Sequence, residues 1–130
     1  MQYKKIKQKI KGKTYNLYVA NTQKKITTGL SKMDIKKNEG MIFVYPDCIS
    51  GRSFTMKDTK HKLKIIFINE KEEIVYQEIG YPFQKKSITC TFPSKYVIEI
   101  LAWICINMIE INDIVRFKRV YVIGIDDLIS

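Results

Sequence analysis

Side chains able to do acid–base or nucleophilic chemistry are few in this chain, and histidine is the scarcest. The single histidine, His61, stands between two lysines in Lys60-His61-Lys62. A serine or cysteine nucleophile needs a base such as histidine within hydrogen-bond reach. The neighbouring ammonium groups would disfavour a proton on His61. A lysine-flanked histidine usually lies in a solvated loop, and we interpret His61 as a loop residue of this kind. The sequence therefore indicates no catalytic triad or dyad around His61.

Carboxylate pairs could supply general acid–base catalysis, but the pairs in this chain are adjacent in sequence. They occur as Glu72-Glu73 and Asp126-Asp127. Adjacent side chains on a strand point to opposite faces, so the two members of such a pair are not expected to share one site. The glycines form no phosphate-binding loop pattern either. We predict no catalytic residues, and an enzyme of unknown chemistry is only an alternative function.

Glu99 is the acidic residue that interrupts the apolar run 96–101. A buried carboxylate needs a partner, because the uncompensated charge is costly to remove from water. Glu99 is therefore expected either to face outward or to form half of an ion pair, with Lys57 or Lys64 as the candidate partner. We favour a structural ion pair over a catalytic acid.

Metal ligands and disulfide partners are also scarce. The chain has an odd number of cysteines and no Cys-X-X-Cys motif; the cysteines are Cys48, Cys90 and Cys105. Such a set favours a reducing, intracellular compartment. With one histidine, the chain offers poor material for a zinc site, so we predict neither a metal nor another cofactor.

The chain shows no secretory or membrane-spanning pattern. The N-terminal residues include many lysines with no apolar block behind them, so we expect no signal peptide. The longest apolar run, residues 96–111, is broken by Glu99, Asn107 and Glu110, and is too short and too polar to cross a bilayer. We expect an intracellular protein, or one carried in a virion.

Composition places the chain among globular, basic proteins. Its 130 residues predict one domain, and 45% hydrophobic with 12% aromatic residues fits a globular one. The net charge is +10, and 20 of the 23 basic residues are lysines. With 22 isoleucines and two alanines, this bias suggests an AT-rich genome, such as those of low-GC bacteria and their phages. The bias explains lysine in place of arginine but not the excess of bases over acids, which needs a partner or a solubility role.

Residues 1–19 are predicted to form a lysine-rich hairpin. Residues 3–11 alternate between lysines and less polar side chains, Gly12 offers a turn, and residues 15–19 form the second strand. The candidate nucleic-acid face comprises Lys5, Lys7, Lys9, Lys11 and Lys13, interleaved with Tyr3, Tyr15 and Tyr18. We favour the alternative interpretation, an edge strand whose lysines prevent edge-to-edge pairing.

The rest of the chain is predicted to be β-rich with one or two short helices. Asn21-Thr22 reads as a helix N-cap before residues 23–28, and Gly29 ends that helix. Short runs rich in Ile, Val and Phe indicate buried strands. These strands are predicted at residues 41–45, 54–57, 63–69, 73–79, 87–91, 113–116 and 119–125. Residues 96–101 form either a strand, followed by a helical turn over 102–108, or the start of one helix over the whole run.

A single core is predicted to gather apolar residues from several of these strands. We expect that core to include Phe43, Ile65, Phe67, Val97 and Ile100. Trp103 is interpreted as a core or interface residue and not as a platform for a ligand.

Short motifs along the chain resemble those of the family catalogued as domain of unknown function 192. In chain order the motifs are Val19-Ala20-Asn21-Thr22, Gly29-Leu30, Glu39-Gly40-Met41-Ile42-Phe43-Val44-Tyr45-Pro46, Phe54-Thr55-Met56-Lys57-Asp58-Thr59, Leu63-Lys64-Ile65-Ile66-Phe67-Ile68, Tyr96-Val97-Ile98-Glu99-Ile100 and Asn112-Asp113-Ile114-Val115-Arg116-Phe117. The resemblance covers about residues 17–117. It implies a β-rich α+β fold, a single compact domain with a barrel-like mixed sheet and short helices. It implies no activity, because the family has no established one.

The chain departs from the family pattern at several polar positions. Thr55 stands where the family typically has Trp, Asp58 where it has Asn, Lys64 where it has Asp, and Asn112 where it has Gly. A family site built on that Trp, Asn and Asp would be largely lost here. The candidate binding residues that the resemblance leaves are Met56, Lys57, Asp58, Thr59, Lys64 and Glu99.

Residues 119–130 lie beyond the family-like region and form a candidate interface. This predicted strand is apolar on both faces, and one face presents Tyr121, Ile123 and Ile125. A strand of that kind is covered on both sides. Either its own core covers one side and another chain the other, or the N-terminal hairpin covers both sides internally. We predict a non-enzymatic binding or structural domain with protein partners, such as a subunit of a phage particle. A basic nucleic-acid-binding accessory protein is an alternative, and no membrane partner is expected.

Overall fold

The computed structural model describes residues 2–31 and 33–102. This part of the chain forms eight strands and one short helix. In chain order they are β1 (Lys5–Ile10), β2 (Lys13–Ala20), α1 (Gln23–Thr28), β3 (Glu39–Ile49), β4 (Arg52–Phe54), β5 (Leu63–Ile68), β6 (Ile74–Gly80), β7 (Ile88–Cys90) and β8 (Ser94–Leu101).

Six of the strands form one mixed sheet in the order β1-β2-β3-β8-β5-β6, and β4 pairs with β7 in a second, two-stranded sheet. The neighbours β2 and β3 are parallel, and the other pairs are antiparallel. The predicted β-rich mixed sheet with a short helix is therefore confirmed. The barrel-like closure is not confirmed, because among the described residues no hydrogen-bonded ladder joins β1 to β6.

Local signals determine the first two elements and the helix. Lys11 and Gly12 connect β1 to β2 with φ angles of 47° and 81°, the left-handed backbone that a two-residue hairpin turn requires. The Thr22 side chain accepts a hydrogen bond of 3.2 Å from the Lys25 N–H, which caps the first turn of α1. The Gly29 N–H donates to the Lys25 carbonyl at 2.9 Å and ends the helix. Pairing, turn and caps are as the sequence predicts.

The run 96–101 belongs to a strand and not to a helix. Strand β8 lies between β3 and β5 and pairs with both. A strand in this position is covered on both faces, which explains a nearly continuous apolar sequence with no periodicity of its own. The region near residue 54 differs from the prediction, because β4 ends at Phe54 and residues 55–57 leave the strand.

Both faces of the six-stranded sheet are buried, so the protein has two clusters of core residues. Phe43, Ile65, Phe67 and Val97 belong to one cluster, whereas Ile100 belongs to the other. The prediction that Ile100 shares a core with the other four was therefore wrong. Val97 and Ile100 are an odd number of positions apart on one strand, which places their side chains on opposite faces.

Several predictions fall on residues outside the described part of the chain. They are residues 103–108 of the helical turn predicted over 102–108, the strands at 113–116 and 119–125, the role of Trp103, and the interface residues Tyr121, Ile123 and Ile125.

Candidate ligand-binding cavity

A cavity of about 300 Å³ lies on the face of the sheet that α1 covers. The helix end, strands β3, β4 and β8, and the loop after β4 all contribute side chains to its wall. The lining residues are Ile26, Thr27, Thr28, Gly29, Leu30, Ser31, Phe43, Tyr45, Ser53, Phe54, Thr55, Asp58, Thr59 and Glu99. This volume is at the lower end of the range of natural small-molecule sites.

Glu99 projects into this cavity from the middle of the sheet. Its neighbours in the ladders are Met41 on β3 and Ile65 on β5. Beside it, Gly40 lets β3 approach closely, since a Cβ at that position would lie 2.3 Å from the Glu99 carbonyl oxygen. Glu99 is only 5% exposed. Burial raises the pKa of its carboxyl from 4.5 to about 8, so the group is mostly protonated at pH 7.

The predicted ion pair of Glu99 with a lysine is not formed. Lys64 pairs with Ile100 in the β5–β8 ladder, whereas Ile65 pairs with Glu99. Lys64 therefore points to the opposite face of the sheet from Glu99. Lys57 is exposed in the loop after β4. Within residues 2–31 and 33–102, Glu99 has no hydrogen bond or ion pair.

The structure divides the candidate binding residues of the sequence analysis into two groups. Asp58 and Thr59 line the cavity together with Glu99. Met56 is buried in the core on the same face of the sheet, where it packs so tightly on Gly80 that an added Cβ there would lie 2.7 Å from the Met56 sulfur. Lys57 and Lys64 are not lining residues.

Backbone hydrogen bonds hold the loop that carries Asp58 and Thr59. The Thr59 N–H donates to the Met56 carbonyl at 3.1 Å, and the Thr59 carbonyl accepts from the Phe83 N–H at 3.1 Å. Phe83 itself has a φ of 58°, in the left-handed region that few non-glycine residues occupy. The cavity wall is therefore tied at this point to the segment after β6.

Aromatic rings form the apolar part of the wall. Phe43 and Phe54 meet edge to face with ring centroids 5.0 Å apart, and Phe54 meets Phe67 in the same way at 5.7 Å. Tyr45 lies beside them, and burial raises its pKa to about 12, so its phenol stays neutral and can donate a hydrogen bond. These rings were not predicted as site residues, because aromatic residues on strands usually indicate core.

Arg52 stacks on Tyr45 of this wall, and the protein fixes it in place. Its guanidinium carbon lies 3.5 Å from the centroid of the Tyr45 ring. The group donates to the Ser94 carbonyl at 2.9 Å, and to the carbonyl and carboxylate of Asp47 at 2.8 and 2.9 Å. Arg52 thus has its charge satisfied by these partners, and it is not a lining residue.

The candidate nucleic-acid face is smaller than the sequence predicts. Lys5, Lys7 and Lys9 are exposed and share one face of β1. Lys11 lies in the turn, and Lys13 points to the other face, where its ammonium nitrogen is 5.6 Å from the Tyr15 ring centroid. The alternation ends at the turn because the left-handed backbone there breaks the extended geometry.

Two of the interleaved tyrosines lie on the lysine side of the hairpin. Tyr3 and Tyr18 meet edge to face with ring centroids 6.0 Å apart. The Lys5 ammonium lies 4.6 Å from the Tyr18 ring centroid, and that of Lys25 lies 5.3 Å from the Tyr3 ring centroid. Tyr15 instead packs against the core on the other face of the sheet.

Among the described residues, no group of three or more His, Cys, Asp or Glu side chains is placed to hold a metal ion. In the same part of the chain, no helix has the length and apolar character needed to cross a membrane.

Comparisons with known proteins agree on a family and a fold. The family model DUF192, described as "Uncharacterized ACR", matches residues 5–117 and so includes the N-terminal hairpin. A crystal structure of a protein of unknown function from Novosphingobium aromaticivorans is similar, with a TM-score of 0.72, 21% identity, and coverage of 90% of this chain and 86% of that one. A structure from Sinorhizobium meliloti described as a "putative transcription regulator" has a TM-score of 0.66, 25% identity, and coverage of 78% and 84%. No curated protein gives a significant match.

Proposed function

The chain belongs to the DUF192 family of uncharacterised proteins, and we propose that it is a non-enzymatic domain that binds a small organic molecule in the Glu99 cavity. One observation carries the proposal: Glu99, a residue that is 5% exposed and has no ion-pair partner in the described chain, lines an open cavity of about 300 Å³.

A carboxyl group in the centre of a sheet is costly to ionise, because burial disfavours its charged form. Glu99 occupies such a position, where an apolar residue would pack at no such cost. A ligand that stabilises the carboxylate would offset this cost, and groups of this kind in concave sites are candidates for binding.

The composition of the wall favours binding over catalysis. Its polar side chains are hydroxyl and carboxyl groups, and the described lining contains no histidine, cysteine or lysine. A serine or threonine there has no histidine or lysine in the described lining to activate it. His61 does not line the cavity, and its closest acidic atom is an oxygen of the exposed Asp34 at 3.8 Å.

The test is a nuclear magnetic resonance screen with the whole chain against small cations, anions and neutral compounds. We expect binders to shift the backbone amide signals of Thr28, Thr59 and Glu99. Thr55 is exposed at the rim of the cavity, so Thr55→Trp should block entry and abolish these shifts. Thr91→Trp, at an exposed position that does not line the cavity, should leave them unchanged. Binders that avoid the cavity, or an absence of cavity binders in all three classes, would contradict the proposal.

A second candidate function is nucleic-acid binding by the hairpin. It is supported by the three exposed lysines on one face of β1 with two tyrosines beside them, and by the description of the Sinorhizobium meliloti protein. The competing interpretation is edge protection, because β1 is an edge strand and lysines on an edge strand prevent aggregation.

Salt dependence separates these two interpretations of the lysines. For a nucleic-acid face, the slope of log affinity against log salt should fall by about 0.9 for each phosphate-contacting lysine removed. Lys5, Lys7 and Lys9 changed together to Gln should flatten the slope, whereas the same change at the exposed Lys57, Lys71 and Lys85 should not. If the protein binds neither DNA nor RNA at about 50 mM salt, the lysines serve to protect the edge strand.

Assembly with protein partners, including a place in a phage particle, stays a prediction. In the described chain its support is a set of exposed large apolar side chains, which are Ile49, Tyr81, Phe83 and Phe92. The mass of the protein in solution, with and without residues 119–130, tests it. Loss of an oligomer with an intact fold would support an interface in that segment, and global unfolding would place it in the core.

A further inference from the structure

We infer that the ligand of the Glu99 cavity is a small organic cation that carries a primary ammonium group. This inference rests on the proposed function and names the chemical class of the bound molecule. It is argued from the charge, the aromatic rings and the hydroxyl groups of the wall.

The charge of the wall is opposite to that of the whole protein. The chain has a net charge of +10, yet the charged residue types among the described lining residues are Asp58 and Glu99, both acidic. Two nearby basic groups are held elsewhere, since Arg52 binds Asp47 and Ser94 and Lys60 forms an ion pair with Asp34. An anionic ligand would meet two carboxyl groups and no cation in this wall, whereas a cation would meet its complement.

The aromatic rings provide a second, independent feature suited to a cation. Phe43, Tyr45 and Phe54 all line the cavity, and ring faces attract ammonium groups through the ring quadrupole. The Arg52 guanidinium already occupies one face of the Tyr45 ring, with its carbon 3.5 Å from the ring centroid, so Phe43 and Phe54 are the rings that remain for a ligand cation. The rings also offer apolar surface for the carbon skeleton of an organic amine.

The hydroxyl groups at the helix end favour a primary ammonium over a quaternary one. The Thr28 hydroxyl donates to the Lys24 carbonyl at 2.8 Å, and the Ser31 hydroxyl donates to the Thr28 carbonyl at 2.7 Å. With their protons used in this way, both oxygens keep lone pairs that can accept hydrogen bonds. A primary ammonium has three donors for such acceptors, whereas a quaternary ammonium has none.

Binding of a cation should be coupled to release of a proton. Burial raises the pKa of the Glu99 carboxyl to about 8, so below that pH the empty cavity holds the neutral acid. The ammonium group pairs with the carboxylate, and the carboxyl proton leaves to the solvent. Affinity should therefore rise by about tenfold per pH unit between pH 6 and 8 and level off above, because one proton is released per ligand bound.

The experiment compares n-butylammonium with n-butanol and n-butyrate, which share one carbon skeleton. Affinities are read from the amide shifts of the cavity residues at pH 6, 7 and 8. We expect n-butylammonium to bind at least about tenfold more tightly than n-butanol at pH 8, since a charge-assisted contact is roughly twice as strong as a neutral one. Glu99→Gln should remove both the preference and the pH dependence, and Glu70→Gln, in an exposed turn, should change neither.

The outcomes separate this inference from the function on which it rests. Cavity shifts from n-butanol or n-butyrate that equal or exceed those from n-butylammonium would overturn the cation and leave a binding site standing. A pH-independent affinity for n-butylammonium in the wild-type protein would overturn the pairing with Glu99. Failure of every compound class to reach the cavity, here and in the broader screen, would overturn the binding function as well.

Discussion

Glu99→Gln is expected to raise the free energy of unfolding at pH 9 by about 3–5 kcal/mol relative to the wild-type protein. The carboxyl pKa is 4.5 without burial and about 8 in the folded chain. Between these values the folded state holds a proton that the unfolded state has lost, so wild-type stability falls as pH rises from 4.5 to 8. Below pH 4.5 both states are neutral at this position, and the difference disappears. Glutamine does not ionise, so the stability of the variant does not fall with pH at this position.

Urea denaturation at pH 5, 7 and 9 measures this effect. The difference in stability between Glu99→Gln and the wild-type protein should grow with pH and reach a plateau above about pH 8. Glu70→Gln is the matched control, because it makes the same chemical change at an exposed position and should run parallel to the wild-type protein. A constant difference across the three pH values would show that Glu99 ionises normally and is not desolvated in the folded state.

Phe67→Ala is expected to lower the free energy of unfolding by about 3–5 kcal/mol, the usual cost of removing a buried phenylalanine. Phe67 is 0% exposed. Its ring centroid lies 5.7 Å from that of Phe54 and 5.9 Å from that of Tyr76. Removal of the ring leaves a void between the large sheet and β4, and the surrounding strands cannot collapse into it without breaking their ladders.

The midpoint of urea unfolding, at constant slope, reports this loss. Phe83→Ala is the control, because Phe83 is 60% exposed and surface changes away from such packing usually stay within about 0.5 kcal/mol. Equal losses for the two variants would contradict the described core. A change in slope would indicate that the variant has altered the unfolded or folded ensemble and not only stability.

Much of the local structure could be predicted from the sequence alone. The hairpin, the cap at Thr22, the end of the helix at Gly29 and most of the strands depend on residues a few positions apart. The sequence also indicated that Glu99 is an unusual residue, because an acidic side chain in an apolar strand needs a structural or functional reason.

Tertiary structure decided which side chains Glu99 meets. Lys57 or Lys64 was predicted as its ion-pair partner, but the pairing of Ile65 with Glu99 puts Lys64 on the other face. The alternation of side chains along β8 likewise places Ile100 in the other core cluster. Register between strands far apart in sequence is set by the packing of whole faces, and a shift of one residue would reverse every such assignment.

The cavity itself was determined only by the tertiary structure. Its wall joins the end of α1, strands β3 and β4, the loop with Asp58 and Thr59, and Glu99 from β8. Sequence determined the elements and the chemical character of each contributor, because those depend on local pattern and composition. It could not determine their convergence, because the void arises where a six-residue helix and a two-stranded sheet pack on the large sheet, and that arrangement depends on contacts between residues distant in the chain.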